Sequence, residues 1–264
     1  MNNNKTILEN LGSDIVGYMT GSKENLVKAA KLTGGVATTI ISTGVLAGTA
    51  FGSDTKLPEK IMHVLNFALT LEYLEDEYYR TGINSSGLIP AETRDVFGQI
   101  SKHETAHVNL LKSVLGDKAV KKPNFDFTAG GKFADVFRNY QTFLALSQAF
   151  EDTGVRAYKG QAGNLMSNAK ILTTALQIHS VEARHAAEVR RLRGEKAWIT
   201  GDSRGTLPEA AAPVYFAERK TSEAGVVIAN LMSTNSLSSA TISQAFDEPL
   251  SENQVLSIAG LFIK

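Results

Sequence analysis

The sequence contains no cysteine among its 264 residues. This absence excludes disulfides, thiolate zinc sites and iron–sulfur clusters. The strong metal ligands that remain are the carboxylates of Asp and Glu and the imidazoles of five histidines. These groups favour a site built from oxygen and nitrogen ligands. The missing cysteine does not indicate a redox compartment, because a cysteine-free protein is compatible with any of them.

The sequence also lacks an excess of charge of either sign, with 27 Lys and Arg residues against 27 Asp and Glu residues. The basic residues are dispersed along the chain, so nothing predicts a nucleic-acid interface, and no nucleic-acid partner is expected. Hydrophobic residues make up 43% of the chain. This fraction supports a packed core and excludes a wholly disordered protein.

Residues 1–55 differ in composition from the rest and leave three interpretations open. Between Lys31 and Asp54 there is no charged residue, and the segment 32–53 is rich in Gly, Thr and Ala. An export signal is favoured because lysines precede this segment, although its long, acid-containing leader counts against it. That reading predicts an exported or periplasmic protein. A membrane anchor at 32–53 would be the only point of membrane association. A retained packing arm would predict a cytoplasmic protein.

Four stretches have apolar residues at helical spacing, and together they predict an all-α four-helix bundle over residues 56–194. Short connections join the first helix to the second and the third to the fourth, whereas about fifteen residues separate the second and third. A bundle with one long middle crossover follows from this pattern. The stretches cover residues 57–80, 90–116, 132–160 and 164–194.

Residues 195–264 are loop-rich and carry only short apolar pieces. A segment of this kind would have too small a core to fold as a domain by itself. We therefore expect a C-terminal tail that wraps around the bundle.

An internal repeat places acids and histidines at matching intervals in the two halves of the bundle. In each half a Glu is followed seven residues later by a Tyr, and then by Glu-x-x-His, which starts 32 residues after the first Glu in one half and 31 in the other. Spacings of three and seven keep side chains on nearly one helix face. One Glu-x-x-His can arise by chance, but two at matching offsets are a specific signal. The members are Glu72, Tyr79, Glu104 and His107, then Glu151, Tyr158, Glu182 and His185.

The four glutamates of this repeat lie at positions that face the core of the predicted bundle. Buried carboxylates are costly unless their charge is compensated. Four negative charges would be neutralised by two divalent cations, and two imidazoles would complete ligand spheres that suit iron or manganese. The repeat therefore predicts a carboxylate-bridged dinuclear centre, with Glu104 and Glu182 as the bridging candidates.

The segment HETAH at residues 103–107 also satisfies the zinc-protease signature H-E-x-x-H. In that reading His103 and His107 bind zinc and Glu104 is the general base. The second copy of the motif has Val181 where such a site needs a histidine, and no third ligand is evident downstream. The dinuclear interpretation is therefore preferred, with His103 beside the ligands or at the surface.

Several neighbouring residues keep two interpretations. Glu75 competes with Glu72, which is preferred because only Glu72 has the tyrosine seven residues later. Tyr79 and Tyr158 either hold the ligand carboxylates by hydrogen bonds or are ordinary core tyrosines. Gly154 either opens space for a small oxidant or allows close helix packing. The arginines Arg156 and Arg184 are expected to form surface or inter-helix ion pairs.

These motifs resemble the ferritin-like superfamily over residues 57–194. Four segments are more closely similar to bacterial ferritin-like-domain proteins related to desiccation-associated proteins. They are LNFALTLEYLEDEYY, FEDTGVRAYKG, VEARHAAEVRRLRG and AFDEPLSENQVLSIAGLFI. Such proteins are often exported, frequently by a twin-arginine route, but this leader has no paired arginines. The resemblance implies metal ligands at Glu72, Glu104, His107, Glu151, Glu182 and His185.

The site and the resemblance together predict an oxidoreductase with two divalent metal ions, iron in preference to manganese. Its small substrate would be O2 or H2O2, in a ferroxidase or peroxide-removing reaction. Two alternatives stay open: a non-catalytic structural or desiccation-protective protein, and a manganese-catalase-like enzyme. The choice between a monomer and a homo-oligomer is also open.

Overall fold

The computed structural model describes residues 57–231 and 237–264. The expectations for residues 1–55, including the proposed membrane segment 32–53, lie outside the described residues. Among the helices that are described, none is both long and apolar enough to cross a membrane.

Four long helices dominate the structure, which confirms the predicted all-α fold. Their sequences contain signals for the helix starts. Pro58 and Pro90 precede the first and second helices, where a missing N–H costs nothing. Asn139 and Asn168 cap the third and fourth with side-chain acceptors. The helices are α1 Glu59–Asn84, α2 Ala91–Leu115, α3 Tyr140–Gln161 and α4 Ala169–Leu192.

The connection between α2 and α3 is the long crossover expected for this topology, but it is longer than predicted. The third helix begins at Tyr140, not at residue 132, and the fourth at Ala169, not at residue 164. Over residues 131–138 the chain forms successive turns, and the Asp135 carboxylate accepts hydrogen bonds from the side-chain amide of Asn139 and the hydroxyl of Thr142. Local side-chain bonds of this kind compete with helix formation, which explains the late start of α3.

The bundle has two apolar clusters that meet near the middle of α1. An aliphatic cluster includes Ile61, Leu65 and Leu69 from the first half of this helix. A second cluster, rich in aromatic rings, includes Tyr78 and Tyr79 from its last turns. Hydrophobic burial on this scale provides most of the stability of such a bundle. The carboxylates described below lie between these two regions.

The described part of the tail contains only short elements. A 3₁₀ helix at Glu209–Tyr215 is followed by the antiparallel strands β1 Ser222–Glu223 and β2 Val226–Val227. Two short helices then follow, α5 Ser239–Ser243 and α6 Glu252–Ala259.

Arg156 fastens this tail to the bundle. Its side chain is fully buried, and its guanidinium donates hydrogen bonds to the backbone carbonyls of Val214, Phe216 and Glu248. It also forms an ion pair with Glu218 at 2.8 Å. The expectation of a surface or inter-helix pair was therefore wrong for Arg156. The reason is that its partners come from the tail, some sixty to ninety residues later in the sequence.

Candidate metal centre

The structure brings the six side chains of the internal repeat together in the interior of the bundle. All six are buried. Among the described residues they form two overlapping groups, and in each group the ligand atoms lie within 4.8 Å of one another. The first group is Glu72, Glu104, His107 and Glu182, and the second is Glu104, Glu151, Glu182 and His185.

In the first group, three carboxylates surround one imidazole nitrogen. His107 Nδ1 lies 3.2 Å from Glu72 Oε2, 3.2 Å from Glu104 Oε2 and 3.1 Å from Glu182 Oε1. A ring nitrogen carries at most one proton, so it can donate to only one of these oxygens at a time. The arrangement suits a cation shared by all four groups better than it suits a hydrogen bond.

The second group repeats this pattern around His185. Its Nδ1 lies 2.9 Å from Glu104 Oε1, 3.3 Å from Glu151 Oε2 and 3.1 Å from Glu182 Oε2. Glu104 and Glu182 therefore present a different oxygen to each imidazole. This is the arrangement expected of carboxylates that bridge two ions. Glu72 and Glu151 each face only one imidazole.

The charge of this cluster is not satisfied by hydrogen bonds within the protein. The buried oxygens Glu104 Oε1, Glu151 Oε2 and Glu182 Oε1 receive no aligned hydrogen bond, because the imidazole nitrogen near each of them is shared with two other carboxylate oxygens. Native proteins rarely leave such atoms unpaired, and a bound ion is one ordinary explanation. The number and type of donor atoms, four carboxylates and two imidazoles, fit two divalent cations.

The pKa values also reflect the close packing of buried carboxylates around the two imidazoles. Burial, followed by repulsion from Glu182, raises the pKa of Glu104 well above its usual range, and burial raises the pKa of Glu151 to about 7. Burial alone would also raise the pKa of Glu182, but hydrogen bonds from the two imidazoles lower it to about 2. Burial opposes the charging of His185, yet the neighbouring carboxylates raise its pKa to about 12. Two of the four carboxylates, Glu104 and Glu151, therefore take up a proton more readily than free carboxylates do.

Glu75 is a further buried carboxylate that sequence reasoning set aside in favour of Glu72. It lies outside both ligand groups, although burial, followed by repulsion from Glu151, raises its pKa well above the usual range. A Cβ added at Gly154 would lie 3.3 Å from Glu75 Oε1 and 3.6 Å from Glu182 Cγ. Gly154 thus leaves room for two carboxylates. The sequence signal for Glu75 was its three-residue spacing from Glu72, which places both on one helix face.

Two tyrosines cross between helices to reach the carboxylates. The Tyr79 hydroxyl, from α1, donates a hydrogen bond of 2.5 Å to Glu151 Oε1 on α3. The Tyr158 hydroxyl, from α3, donates to Glu72 Oε1 on α1. This exchange follows from two antiparallel helices that carry the same seven-residue spacing, because each Tyr then lies opposite the Glu of the other helix. Both carboxylates are held at the oxygen that does not face an imidazole.

His103 contacts the outer nitrogen of a proposed ligand and is not part of either ligand group. Its Nδ1 lies 2.9 Å from His185 Nε2, and its Nε2 lies 2.7 Å from the side-chain amide of Gln99. Partners of this kind orient a metal-binding imidazole and determine its tautomer. Sequence reasoning did not identify Gln99, whose only signal was its position one helical turn before His103.

The sequence profile of the ferritin-like domain family matches residues 60–195, which is more than half of the chain. The chain belongs to the ferritin-like domain family. The match covers the bundle from the second residue of α1 to the end of α4, together with every carboxylate and imidazole of the candidate metal centre. No curated protein matches the chain. Membership in the ferritin-like family is compatible with a metal site, whereas an activity has to be argued from the site itself.

Proposed function

We propose that this ferritin-like bundle holds two divalent metal ions. Glu104 and Glu182 would be shared by both ions. The pair Glu72 and His107 would complete one ligand set, and Glu151 and His185 would complete the other. One observation carries this proposal: each shared carboxylate directs one oxygen to each of the two imidazoles.

Iron is the preferred metal and manganese the alternative. Four carboxylates compensate the charge of two divalent ions, and ligand sets of oxygen and imidazole nitrogen suit both metals. The protein would contribute an interior in which the ligands are held before metal arrives. Tyr79 and Tyr158 support this role, since they donate to the carboxylates at oxygens directed away from the imidazoles.

The proposed activity is the oxidation of ferrous iron by O2 or H2O2. Two ferrous ions supply two electrons, which with two protons reduce O2 to H2O2, or reduce H2O2 to two molecules of water. The chain would bind and orient the reacting centre and exclude bulk water from it. The unpaired carboxylate oxygens would offset the increase in positive charge.

Metal analysis and oxidation kinetics test this proposal. The protein is purified without chelators, its iron and manganese are measured per chain, and the ferrous form is mixed with O2 or H2O2 in a stopped-flow instrument. We expect two ions per chain and oxidation faster than that of free ferrous iron. The control is the double variant Glu104→Gln, Glu182→Gln, which retains the volume of both side chains but loses their charge.

The outcomes separate binding from catalysis. If the wild-type protein contains no more metal than the double variant, the dinuclear site is refuted. Two bound ions without accelerated oxidation would support the site and overturn the proposed activity, leaving a structural or protective role for the metal.

A further inference from the structure

The two ends of the proposed centre are packed differently. Toward the last turns of α1 the interior is filled by aromatic rings. Tyr78 stacks on Phe143 at a centroid distance of 5.0 Å and meets the edge of Phe150 at 4.9 Å. Phe97 packs against Phe143 at 5.1 Å. These are ordinary distances for close aromatic packing.

Toward the first turns of α1 the bundle contains an apolar cavity. Three of the residues that line it lie one helical turn from a proposed ligand: Ala68 from Glu72, Leu111 from His107 and Ile178 from Glu182. Because residues four apart share a helix face, these side chains point to the same interior as the ligands. The cavity therefore continues the axis of the metal site.

The apolar cavity is narrow. It offers about 20 Å³ to the centre of a water-sized molecule, which is room for roughly one small molecule. Its lining is aliphatic and aromatic, and only Tyr158, Gln161 and Thr174 carry polar side-chain groups there. A water molecule needs two to four polar partners to occupy such a space, whereas apolar cavities stay dry and accept apolar gases.

Tyr158 connects the apolar cavity to the proposed centre. The residue lines the cavity, and its hydroxyl donates to Glu72. A molecule in the cavity is thus separated from a proposed ligand by a single side chain. On the other side of the proposed centre, toward the last turns of α1, the interior is filled by the aromatic rings of Tyr78, Phe97, Phe143 and Phe150.

We propose that the apolar cavity receives O2 and delivers it to the metal centre past Tyr158. This inference rests on the proposed function, and it names O2 as the oxidant that the apolar cavity selects. Dioxygen is a small apolar molecule that loses no hydrogen bonds on entering. Hydrogen peroxide would leave its hydrogen bonds to water behind, so the cavity disfavours it.

Xenon binding tests the apolar cavity without any use of metal or activity. Crystals of the full-length chain are exposed to xenon under pressure, and xenon is expected between Ala68, Leu111 and Ala175. Ala68→Leu and Ala175→Leu should abolish this site by filling the space, while Leu111→Ala should raise its occupancy. Ala145→Leu is the matched control, because Ala145 is buried in the aromatic cluster and does not line the cavity. Absence of xenon from the wild-type cavity would overturn the proposal.

Kinetics with two oxidants test delivery. In variants that retain the wild-type metal content and helicity, Ala68→Leu and Ala175→Leu should lower kcat/KM for O2 by about tenfold. Their rate with H2O2 should be unchanged. Equal losses with both oxidants, or no loss with O2, would overturn the route. A wild-type protein that binds xenon but oxidises no iron would refute the proposed function, while the cavity would still be shown to accept an apolar molecule.

Discussion

His103 Nδ1 lies 2.9 Å from Nε2 of His185, on the side of that ring opposite the carboxylates. The two rings are nearly parallel, with an angle of 8° between their planes. If Nδ1 of His185 binds metal, its Nε2–H can donate to His103, and Gln99 holds the far nitrogen of His103. The first histidine of HETAH therefore supports a ligand from the other half of the repeat.

Replacing His103 distinguishes the two interpretations of HETAH. We expect His103→Ala to retain two metal ions per chain and to bind them about 10–100-fold more weakly, as for other partners of metal-binding histidines. A metal titration followed by elemental analysis measures both quantities. His63→Ala is the control, since His63 is exposed and bonds to Glu252. Complete loss of metal in His103→Ala would instead favour a mononuclear site with His103 as ligand.

The shared and unshared carboxylates should differ in their effect on metal stoichiometry. Glu72 faces only His107, whereas Glu104 faces both imidazoles. We expect Glu72→Gln to lose one ion per chain and Glu104→Gln to weaken both, because the second change removes charge from both ligand sets. Titration with manganese, with bound and free ion measured separately, distinguishes one site from two. Identical stoichiometries in the two variants would contradict the bridging assignment.

The tyrosine that crosses to Glu72 should strengthen metal binding. Tyr158→Phe removes the hydrogen bond to this carboxylate, and a hydrogen bond to a charged group contributes about 1.5–3 kcal/mol. We expect weaker binding at the ion next to His107, with the other ion little affected. Tyr78→Phe is the matched control, because the hydroxyl of Tyr78 donates to the backbone carbonyl of Phe143. Equal effects of the two substitutions on metal affinity would argue against this role.

Metal binding should release protons and weaken as the pH falls. In the metal-free cluster the pKa of Glu151 is raised to about 7 and that of His185 to about 12. At neutral pH His185 is therefore protonated and Glu151 about half protonated, and these protons must be lost before the groups bind a cation. The rise in Tm caused by metal should shrink between about pH 8 and about pH 6. Calorimetry in buffers of different ionisation enthalpy counts the protons released when metal binds. A count of zero would contradict the assignment of Glu151 and His185 as ligands.

Loss of Arg156 should detach the tail from the bundle. Arg156→Ala leaves the buried Glu218 without its ion-pair partner, and breaking a buried pair from one side costs about 3–5 kcal/mol. The free energy of unfolding, measured with urea, should fall by that amount. Arg184→Ala, at an exposed position of α4, is expected to change it little. An unchanged stability in Arg156→Ala would show that the tail is held mainly by its apolar contacts.

The sequence by itself determined the helices, the topology and the set of candidate ligands. These depend on periodicity and on local spacing, since Glu and His three residues apart must share a face of any helix that contains them. The duplicated spacing also favoured the dinuclear interpretation over the zinc protease. The distance from the first Glu to the Glu-x-x-His motif is 32 residues in one half and 31 in the other, and so close a match is not expected by chance. The boundaries that failed, at the starts of α3 and α4, lie where capping side chains compete with the helix.

Only the tertiary structure decided which side chains meet across the bundle. Three contacts show this. Tyr79 reaches Glu151 over a separation of 72 positions, and His103 reaches His185 over 82. Arg156 is buried under the tail by contacts with residues up to 92 positions away. Distances of this kind depend on how helices pack and on where the tail returns. No spacing within one helix contains that information, because the energy of each contact comes from groups that only folding brings into reach.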